Sequence, residues 1–208
     1  MMDKPDAGHS LPSSEACERN KGPIAQVLRE WLPAGAQVLE IGSGTGQHVV
    51  YFAQTFPDTR WQPTDTGDYL PVLRARVTTE GGKNIAPVAE LDVCRPVEWA
   101  ACFDTVFTAN TVHFMSIEAG AALFRVAGQA LSENGLFIVY GPFNYKNQFT
   151  SPSNERFDAW LKSTDPERGI RDIAWVDEQA AAAGLMLQGD IEMPANNRCL
   201  IWRKGAAD

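Results

Sequence analysis

The sequence predicts an α/β fold: a seven-stranded, mostly parallel sheet with an antiparallel final hairpin and helices on both faces. Three observations carry that prediction. Runs of β-forming residues alternate with helical periodicity along most of the chain, the pattern of a parallel sheet covered by crossover helices. The first strand, residues 37–41, runs straight into a glycine cluster that opens a helix. The last two extended runs, 185–192 and 198–203, are joined by only five residues, short enough for a hairpin.

Taken in order, residues 1–17 are polar, with Pro5, Gly8 and Pro12, and read as a flexible tail; residues 18–205 form one domain. A helix with Pro23 in its first turn carries Ile24, Val27, Leu28, Trp31 and Leu32 on one stripe and stops at Pro33 and Gly35. After the strand at 37–41, Val49, Phe52, Ala53 and Phe56 mark a helix. The strand at 60–64 ends at Asp65, and a helix with Leu70, Leu73 and Val77 closes at Gly81-Gly82. Strands at 88–91 and 103–109 end at Asp92 and Asn110. A helix with Gly120, Phe124, Ala127 and Leu131 on one side is terminated by Asn134-Gly135. The strand at 136–140 is apolar on both faces, as a central parallel strand should be. Residues 142–154 form a polar, aromatic loop. Two helices follow, one presenting Phe157, Trp160 and Leu161 and the other Ile173, Val176, Ala180 and Ala183. The polar strand ends gather at one edge, where open α/β sheets bind their ligands.

A chain of 208 residues suits one domain with appendages. The formal charge of -8, from 18 Lys plus Arg against 26 Asp plus Glu, repels phosphate backbones and anionic lipid. Nucleic-acid and membrane partners are therefore not expected. Four cysteines show no C-x-x-C pair and no zinc-like spacing, so they read as free thiols, with no metal site. The N-terminus lacks the apolar stretch of a signal peptide, and no apolar run approaches the ~20 residues of a membrane helix. The expected location is the cytoplasm.

The informative segment is Val38-Leu39-Glu40-Ile41-Gly42-Ser43-Gly44-Thr45-Gly46-Gln47-His48. Glycines let the backbone turn tightly and let a ligand approach without Cβ interference, and the helix start offers polarised N–H groups. In the dinucleotide fingerprint G-x-G-x-x-G the third glycine comes one position later. An acid at Glu40 would repel a pyrophosphate but attract a cationic ligand. Asp65 lies 23 residues beyond Gly42, close to the ~20-residue spacing of an acid that grips ribose hydroxyls. A turn or cap residue is the plainer account of Asp65, and of Asp92 as well.

The acid-x-Gly-x-Gly-x-Gly pattern resembles the first motif of class I S-adenosylmethionine-dependent methyltransferases. That resemblance implies a Rossmann-like methyltransferase fold and a cofactor site of Glu40, Gly42, Ser43, Gly44, Gly46, His48, Asp65 and Asn110. It also implies that Asp92 accepts from the adenine amino group, with Val93 against the ring. A wider set of strings resembles the methyltransferase-like 26 family, known mainly as a domain of unknown function. They are Glu18-Arg19-Asn20-Lys21, Trp61-Gln62-Pro63, Tyr140-Gly141-Pro142, Gly169-Ile170-Arg171-Asp172 and Met193-Pro194-Ala195-Asn196-Asn197. The chain departs from that family after Asn110-Thr111-Val112-His113, where Phe114-Met115-Ser116-Ile117 replaces a proline-containing flank and changes the acceptor side.

Methyl transfer is an in-line displacement that needs a base only when the acceptor arrives protonated. His113, just past the fourth strand, is the candidate general base; alternatively it is a hydrogen-bonded histidine that fixes its loop. Tyr140, Phe143, Asn144 and Tyr145 wall the same cleft or form an apolar lid. Arg171 and Asn196 are candidate substrate contacts; the plainer alternative is an Arg171–Asp172 network, with Asn196 and Asn197 capping the hairpin turn. Asn20 and Lys21 are candidate lid contacts or ordinary helix-start residues. The expected function is methyl transfer from S-adenosylmethionine to a small molecule. Its rivals are a non-catalytic cofactor-binding scaffold or sensor, and a nicotinamide-dependent oxidoreductase.

Overall fold

The computed structural model describes residues 11–206. The strands are β1 (Gln37–Ile41), β2 (Arg60–Asp65), β3 (Ala89–Glu90), β4 (Phe103–Ala109), β5 (Leu131–Gly141), β6 (Leu185–Met193) and β7 (Asn197–Lys204). The helices are α1 (Glu15–Trp31), α2 (Gln47–Thr55), α3 (Tyr69–Glu80), α4 (Ile117–Ala130), α5 (Pro152–Thr164) and α6 (Ile173–Ala182). One sheet holds all seven strands in the order β3-β2-β1-β4-β5-β7-β6. The first five pair in parallel, and β7 runs antiparallel to both β5 and β6. The order reverses between β1 and β4, so the carboxyl ends of these two strands flank the crevice in which such sheets bind ligands.

Alternation along the strands divides the core. Phe137 and Val139 of β5 face α4 and α6, meeting Phe124, Leu123, Val176 and Trp202. Leu136, Ile138 and Tyr140 face the other layer, with Ile24 and Leu28 of α1, Phe52 of α2 and Leu73 of α3. Phe52 stacks on Trp61 at 5.5 Å and meets Phe107 edge-on at 5.5 Å. Each such buried ring contributes about 1.5–3 kcal/mol. α5 and the segment after it cover the carboxyl edge: Phe157 touches His113 at 5.3 Å, and the Gly169 N–H donates to the His113 carbonyl.

Four expectations are corrected. Residues 1–10 of the expected tail lie outside the described residues, but Glu15–Cys17 are already the first turn of α1, capped by Ser14. Pro23 is therefore inside the helix, not at its start. Its missing N–H removes one helix hydrogen bond, and contacts of Cys17 and Asn20 with α2 hold the earlier turns in place. Asn134-Gly135 does not end α4, which stops at Ala130; β5 begins at once at Leu131, and Asn134 (φ 62°) bends its first residues. Trp160 does not share the buried side of α5 with Leu161: it is 51% exposed and stacks on Phe157 at 5.7 Å. No helix among the described residues is long and apolar enough to cross a membrane.

Candidate functional site

Between β1 and α2 the chain reverses over the sheet edge on three left-handed glycines, Gly42 (φ 73°), Gly44 (φ 55°) and Gly46 (φ 80°). A Cβ on Gly42 would lie 2.9 Å from Thr111, and one on Gly46 2.9 Å from Leu73. At Gly44 it would meet nothing within 4 Å. Packing dictates the outer two glycines, whereas the middle one leaves bare backbone facing open space.

Two carboxylates bear on this loop. Glu40 is 2% exposed and accepts a 2.6 Å hydrogen bond from the Ser43 hydroxyl. Burial still pushes its carboxyl up to about 7, with the neighbouring Asp65 adding to the rise. Asp65 accepts from the Gly44 N–H at 2.6 Å and the Thr66 N–H at 2.8 Å. Burial outweighs these bonds and raises it too. The Ser43 N–H donates to the Thr64 carbonyl at 2.9 Å, fastening the loop to β2. Two under-compensated carboxylates beside the open backbone of Gly44 suit a ligand that carries positive charge.

Asp92 follows β3 at an open cleft of about 410 Å³ lined by Glu90, Leu91, Asp92, Arg95, Pro96, Val97, Glu98 and Trp99. It pairs with Arg95 at 3.1 Å and accepts from the Cys94 N–H. Val93, in the turn after β3, is buried in the apolar core and does not line the cleft. Asn110 sits between the glycine loop and β5 with φ 55°, and its N–H donates to the Tyr140 carbonyl at 2.8 Å.

His48 faces α1 rather than the open side of the glycine loop. It is 5% exposed, and both ring nitrogens are engaged by α1: Nε2 with Asn20 Oδ1 at 2.7 Å and Nδ1 with Cys17 Sγ at 4.0 Å. Burial drops its pKa to about 4 and keeps it neutral. Asn20 and the Tyr140 hydroxyl are committed to the same buried cluster, with Asn197 beside Tyr140. Lys21 points elsewhere, paired with Glu18 and lying over the Tyr51 ring at 5.1 Å. Two residues that the sequence did not single out complete the arrangement. Gln47 bonds the Ser14 N–H and the Glu18 carboxylate. Arg76, 6% exposed, donates to the Thr45 carbonyl of the glycine loop at 2.6 Å and to the Pro12 carbonyl at 2.7 Å, while holding Glu80. The Arg76/Glu80 spacing of four was the only sequence signal for that clamp.

On the acceptor side, His113 occupies a single helical turn, Val112–Phe114, and is 3% exposed. Burial, with Arg171 adding, drops it to about 3. A neutral ring of that kind accepts a hydrogen bond readily but holds a proton poorly. Phe114 (39% exposed), Phe157 and Trp160 make an aromatic wall beside it. Arg171 is committed to structure: it donates to the Met115 and Glu167 carbonyls and lies over Trp175 at 5.8 Å. Asp172 is not its partner; it caps α6 through the Ala174 N–H and accepts from the Asn147 N–H. Asn144 pairs through its backbone with Arg171 and Ile173. Asn196, in the β6–β7 turn with φ 58°, reaches Ser153, and Asn197 donates to the Pro194 carbonyl. The site thus unites Glu40, the glycine loop, Asp65 and Asn110 at one edge, with Asp92 in the adjoining cleft. His48, Lys21, Arg171 and Val93 serve α1, α2, the α5–α6 segment and the core.

Comparison with solved structures shows the class I methyltransferase fold. An O-methyltransferase family protein from Burkholderia thailandensis superposes with a TM-score of 0.78 at 15% identity, covering 93% of this chain and 59% of that one. Human N-acetylserotonin methyltransferase in complex with SAM gives 0.76 at 13%, covering 92% and 53%. An O-methyltransferase family 2 protein from Planctomyces limnophilus in complex with apigenin gives 0.74 at 17%, covering 91% and 60%. The chain spans little more than half the length of these structures. At the level of sequence, residues 11–204 match the model of one family, described as "Protein of unknown function (DUF938)". Because that match takes in nearly the whole chain, the protein belongs to the DUF938 family.

Proposed function

We propose that this protein transfers a methyl group from S-adenosylmethionine to a small-molecule acceptor, and that within its superfamily it is a protein of the methyltransferase-like 26 type. The observation that carries this reading is the open left-handed Gly44 between two buried, under-compensated carboxylates, Glu40 and Asp65. The donor set fits the cofactor. Glu40 answers a cationic ammonium or sulfonium, Gly44 admits close backbone approach, and Asp65 accepts from vicinal ribose hydroxyls. Asp92 and its cleft suit a purine edge. When bound, the cofactor supplies an electrophilic methyl carbon.

The chain's own residues then align and desolvate. Glu40 of β1, held by Ser43, would hold the cofactor's charged end, and Asp65, held by the Gly44 and Thr66 N–H groups at the end of β2, would hold its ribose. His113 orients an acceptor hydroxyl by accepting its hydrogen bond; as the oxygen takes the methyl group its proton passes on to solvent, because a ring held near 3 does not retain it. Phe114 and Trp160, both partly exposed, favour a planar apolar acceptor. The structural neighbours named for O-methylation, one of them holding apigenin, support the same acceptor class.

The test is calorimetric titration with S-adenosylmethionine and S-adenosylhomocysteine, followed by incubation of a small-molecule extract with methyl-labelled cofactor. Micromolar binding (about -8 kcal/mol) and label transferred to a small molecule support the reading. Folded protein that binds neither ligand refutes it. Binding without transfer to any acceptor leaves a cofactor-binding scaffold.

A further inference from the structure

The acceptor side carries more polar chemistry than a wall of rings requires. Neither nitrogen of the buried His113 ring has a hydrogen-bond partner among the described residues; the ring meets Phe157 edge-on at 5.3 Å and tilts against Phe114 at 4.7 Å. Thr111, which opens the same turn, sits where a Cβ on Gly42 would collide, so the turn adjoins the glycine loop. The wall also carries a cation. The Arg168 guanidinium lies over the Phe114 ring at 5.7 Å. Its Nε is buried without a hydrogen-bond partner, and its terminal nitrogens make no hydrogen bond among the described residues. The Asp165 carboxylate stands 3.7 Å away, beyond hydrogen-bond reach, and is engaged by the Glu167 N–H. The backbone beneath is fixed: the Gly169 N–H donates to the His113 carbonyl, and Arg171 donates to the Met115 carbonyl. Arg168 and His113 thus both lie against the Phe114 ring, close enough for one substituted aromatic ring to touch both.

We propose that the acceptor is a hydroxylated aromatic acid: its ring covers Phe114 and Trp160, its carboxylate is held by Arg168, and its hydroxyl meets His113. This names the substrate class of the methyl-transfer reading and rests on it. Each part of the ligand answers a group that the protein leaves unmatched. Phe114 and Trp160 are large rings facing solvent beside a stacked Phe157, and a planar ring supplies the contacts their open faces lack. A guanidinium presents paired donors that match a carboxylate, and this one stands unshared at an apolar surface in a chain of net charge -8. His113, kept neutral by burial, accepts from a hydroxyl. With its carboxylate at the partly exposed Arg168, the ring turns its hydroxyl toward the buried turn that adjoins the glycine loop. The transfer balances: a bond forms between the hydroxyl oxygen and the methyl carbon. The methyl–sulfur bond breaks with its electron pair left on sulfur, and the hydroxyl proton goes to solvent. Arg168 makes no bond to the reacting atoms; it sets which end of the ring faces inward.

The experiment measures binding by calorimetry with two matched probe pairs: para-hydroxybenzoate against para-hydroxybenzamide, and para-coumarate against para-coumaramide. Each amide keeps the ring and the hydroxyl and lacks the charge. Titrations are run with and without saturating S-adenosylhomocysteine. We expect at least one acid to bind at least tenfold more tightly than its amide. Arg168→Gln should erase that preference, weakening the acid at least tenfold and leaving the amide within twofold. Arg168→Lys, which retains a charge there, should retain part of the preference. Trp160→Ala should weaken acid and amide alike. Equal binding of acid and amide in both pairs, a preference that survives in Arg168→Gln, or no binding of either acid overturns the inference. Should that happen in protein that binds S-adenosylhomocysteine, methyl transfer to another acceptor class stands. A parent protein that binds no S-adenosylhomocysteine refutes the methyl-transfer reading and, with it, the acceptor role; the acid preference and its loss in Arg168→Gln still decide the aromatic-acid site.

Discussion

Replacing Glu40 with Gln separates what an acid costs this fold from what it does there. The carboxyl is 2% exposed, and burial lifts it from 4.5 to about 7 although Ser43 donates to it. The folded state therefore holds this proton more tightly than the unfolded chain does. Stability from this group is fully present below 4.5 and is lost as pH rises to 7. At 1.36 kcal/mol per pH unit the loss amounts to about 3 kcal/mol at pH 8 and under about 1 kcal/mol at pH 5. Gln is neutral throughout, and its carbonyl oxygen still accepts from Ser43. Glu40→Gln should therefore melt above wild type at pH 8, by roughly 6–12 °C for a chain of this size, with the gap nearly closed at pH 5. Melts followed by circular dichroism without cofactor make the comparison. The same variant should bind S-adenosylhomocysteine about 10–100-fold more weakly at pH 8, having lost the charged partner proposed for the ammonium. Wild-type affinity should rise with pH up to about 7 and then level, whereas the variant's should not. A variant no more stable than wild type at pH 8, or a stability gap that ignores pH, would refute the reasoning.

The remaining substitutions probe the loop and its anchors. Asp65→Ala should leave the protein folded and weaken S-adenosylhomocysteine by about 10–100-fold in calorimetry, because the carboxylate proposed to accept from the ribose hydroxyls is removed. Gly42→Ala should destabilise by about 2–4 kcal/mol in urea melts, since a left-handed φ of 73° and a 2.9 Å clash with Thr111 act together. Gly44→Ala, with a strained φ but open space, should cost about 1–2 kcal/mol and abolish ligand binding instead. Arg76→Met should lose about 2–4 kcal/mol and speed hydrogen exchange in residues 42–46, as both carbonyl anchors go. Acid should destabilise the protein through His48 and His113, held near 4 and 3: their contribution is complete above 6.5 and is lost as pH falls. Each histidine takes about 1.4 kcal/mol per pH unit, and Glu40 offsets one of them down to 4.5. The urea-derived slope between pH 6 and 4.5 should therefore roughly double in Glu40→Gln.

The sheet was legible because its strands are short apolar runs with polar ends. Residues 37–41 and 103–109 coincide with β1 and β4, and the five-residue connection at 193–197 correctly implied an antiparallel pair. Strand order was not legible, since β1 borders β4 through contacts between residues 65 or more positions apart. Local turn chemistry misled where tertiary pairing overrode it. Asn134-Gly135 looks like a helix stop, yet Phe103 of β4 already pairs with Leu131 and claims those residues for β5. Trp160 looks like core, yet the aromatic wall at Phe114 and Phe157 offers it a partly exposed partner.

For the site, position at or just past a strand end singles out Glu40, Asp65 and Asp92, and the structure places the first two against the glycine loop and the third at the cleft after β3. Direction was harder. His48 sits two residues past Gly46 and reads as a ligand contact by resemblance, although a helix turns its second residue as readily toward its neighbour as toward the edge. The information that would have corrected this lay further back. Cys17, Asn20, Ile24 and Leu28 follow spacings of three and four, so the apolar stripe of α1 continues backward through a cysteine and an asparagine. An asparagine on a buried stripe must find a hydrogen-bond partner. A helix with Pro23 in its first turn cuts the stripe before Asn20 is reached and leaves Asn20 and Lys21 looking free to touch a ligand. Restoring the two earlier turns puts Cys17 and Asn20 on the inward face, and the partner they require is the histidine of the neighbouring helix.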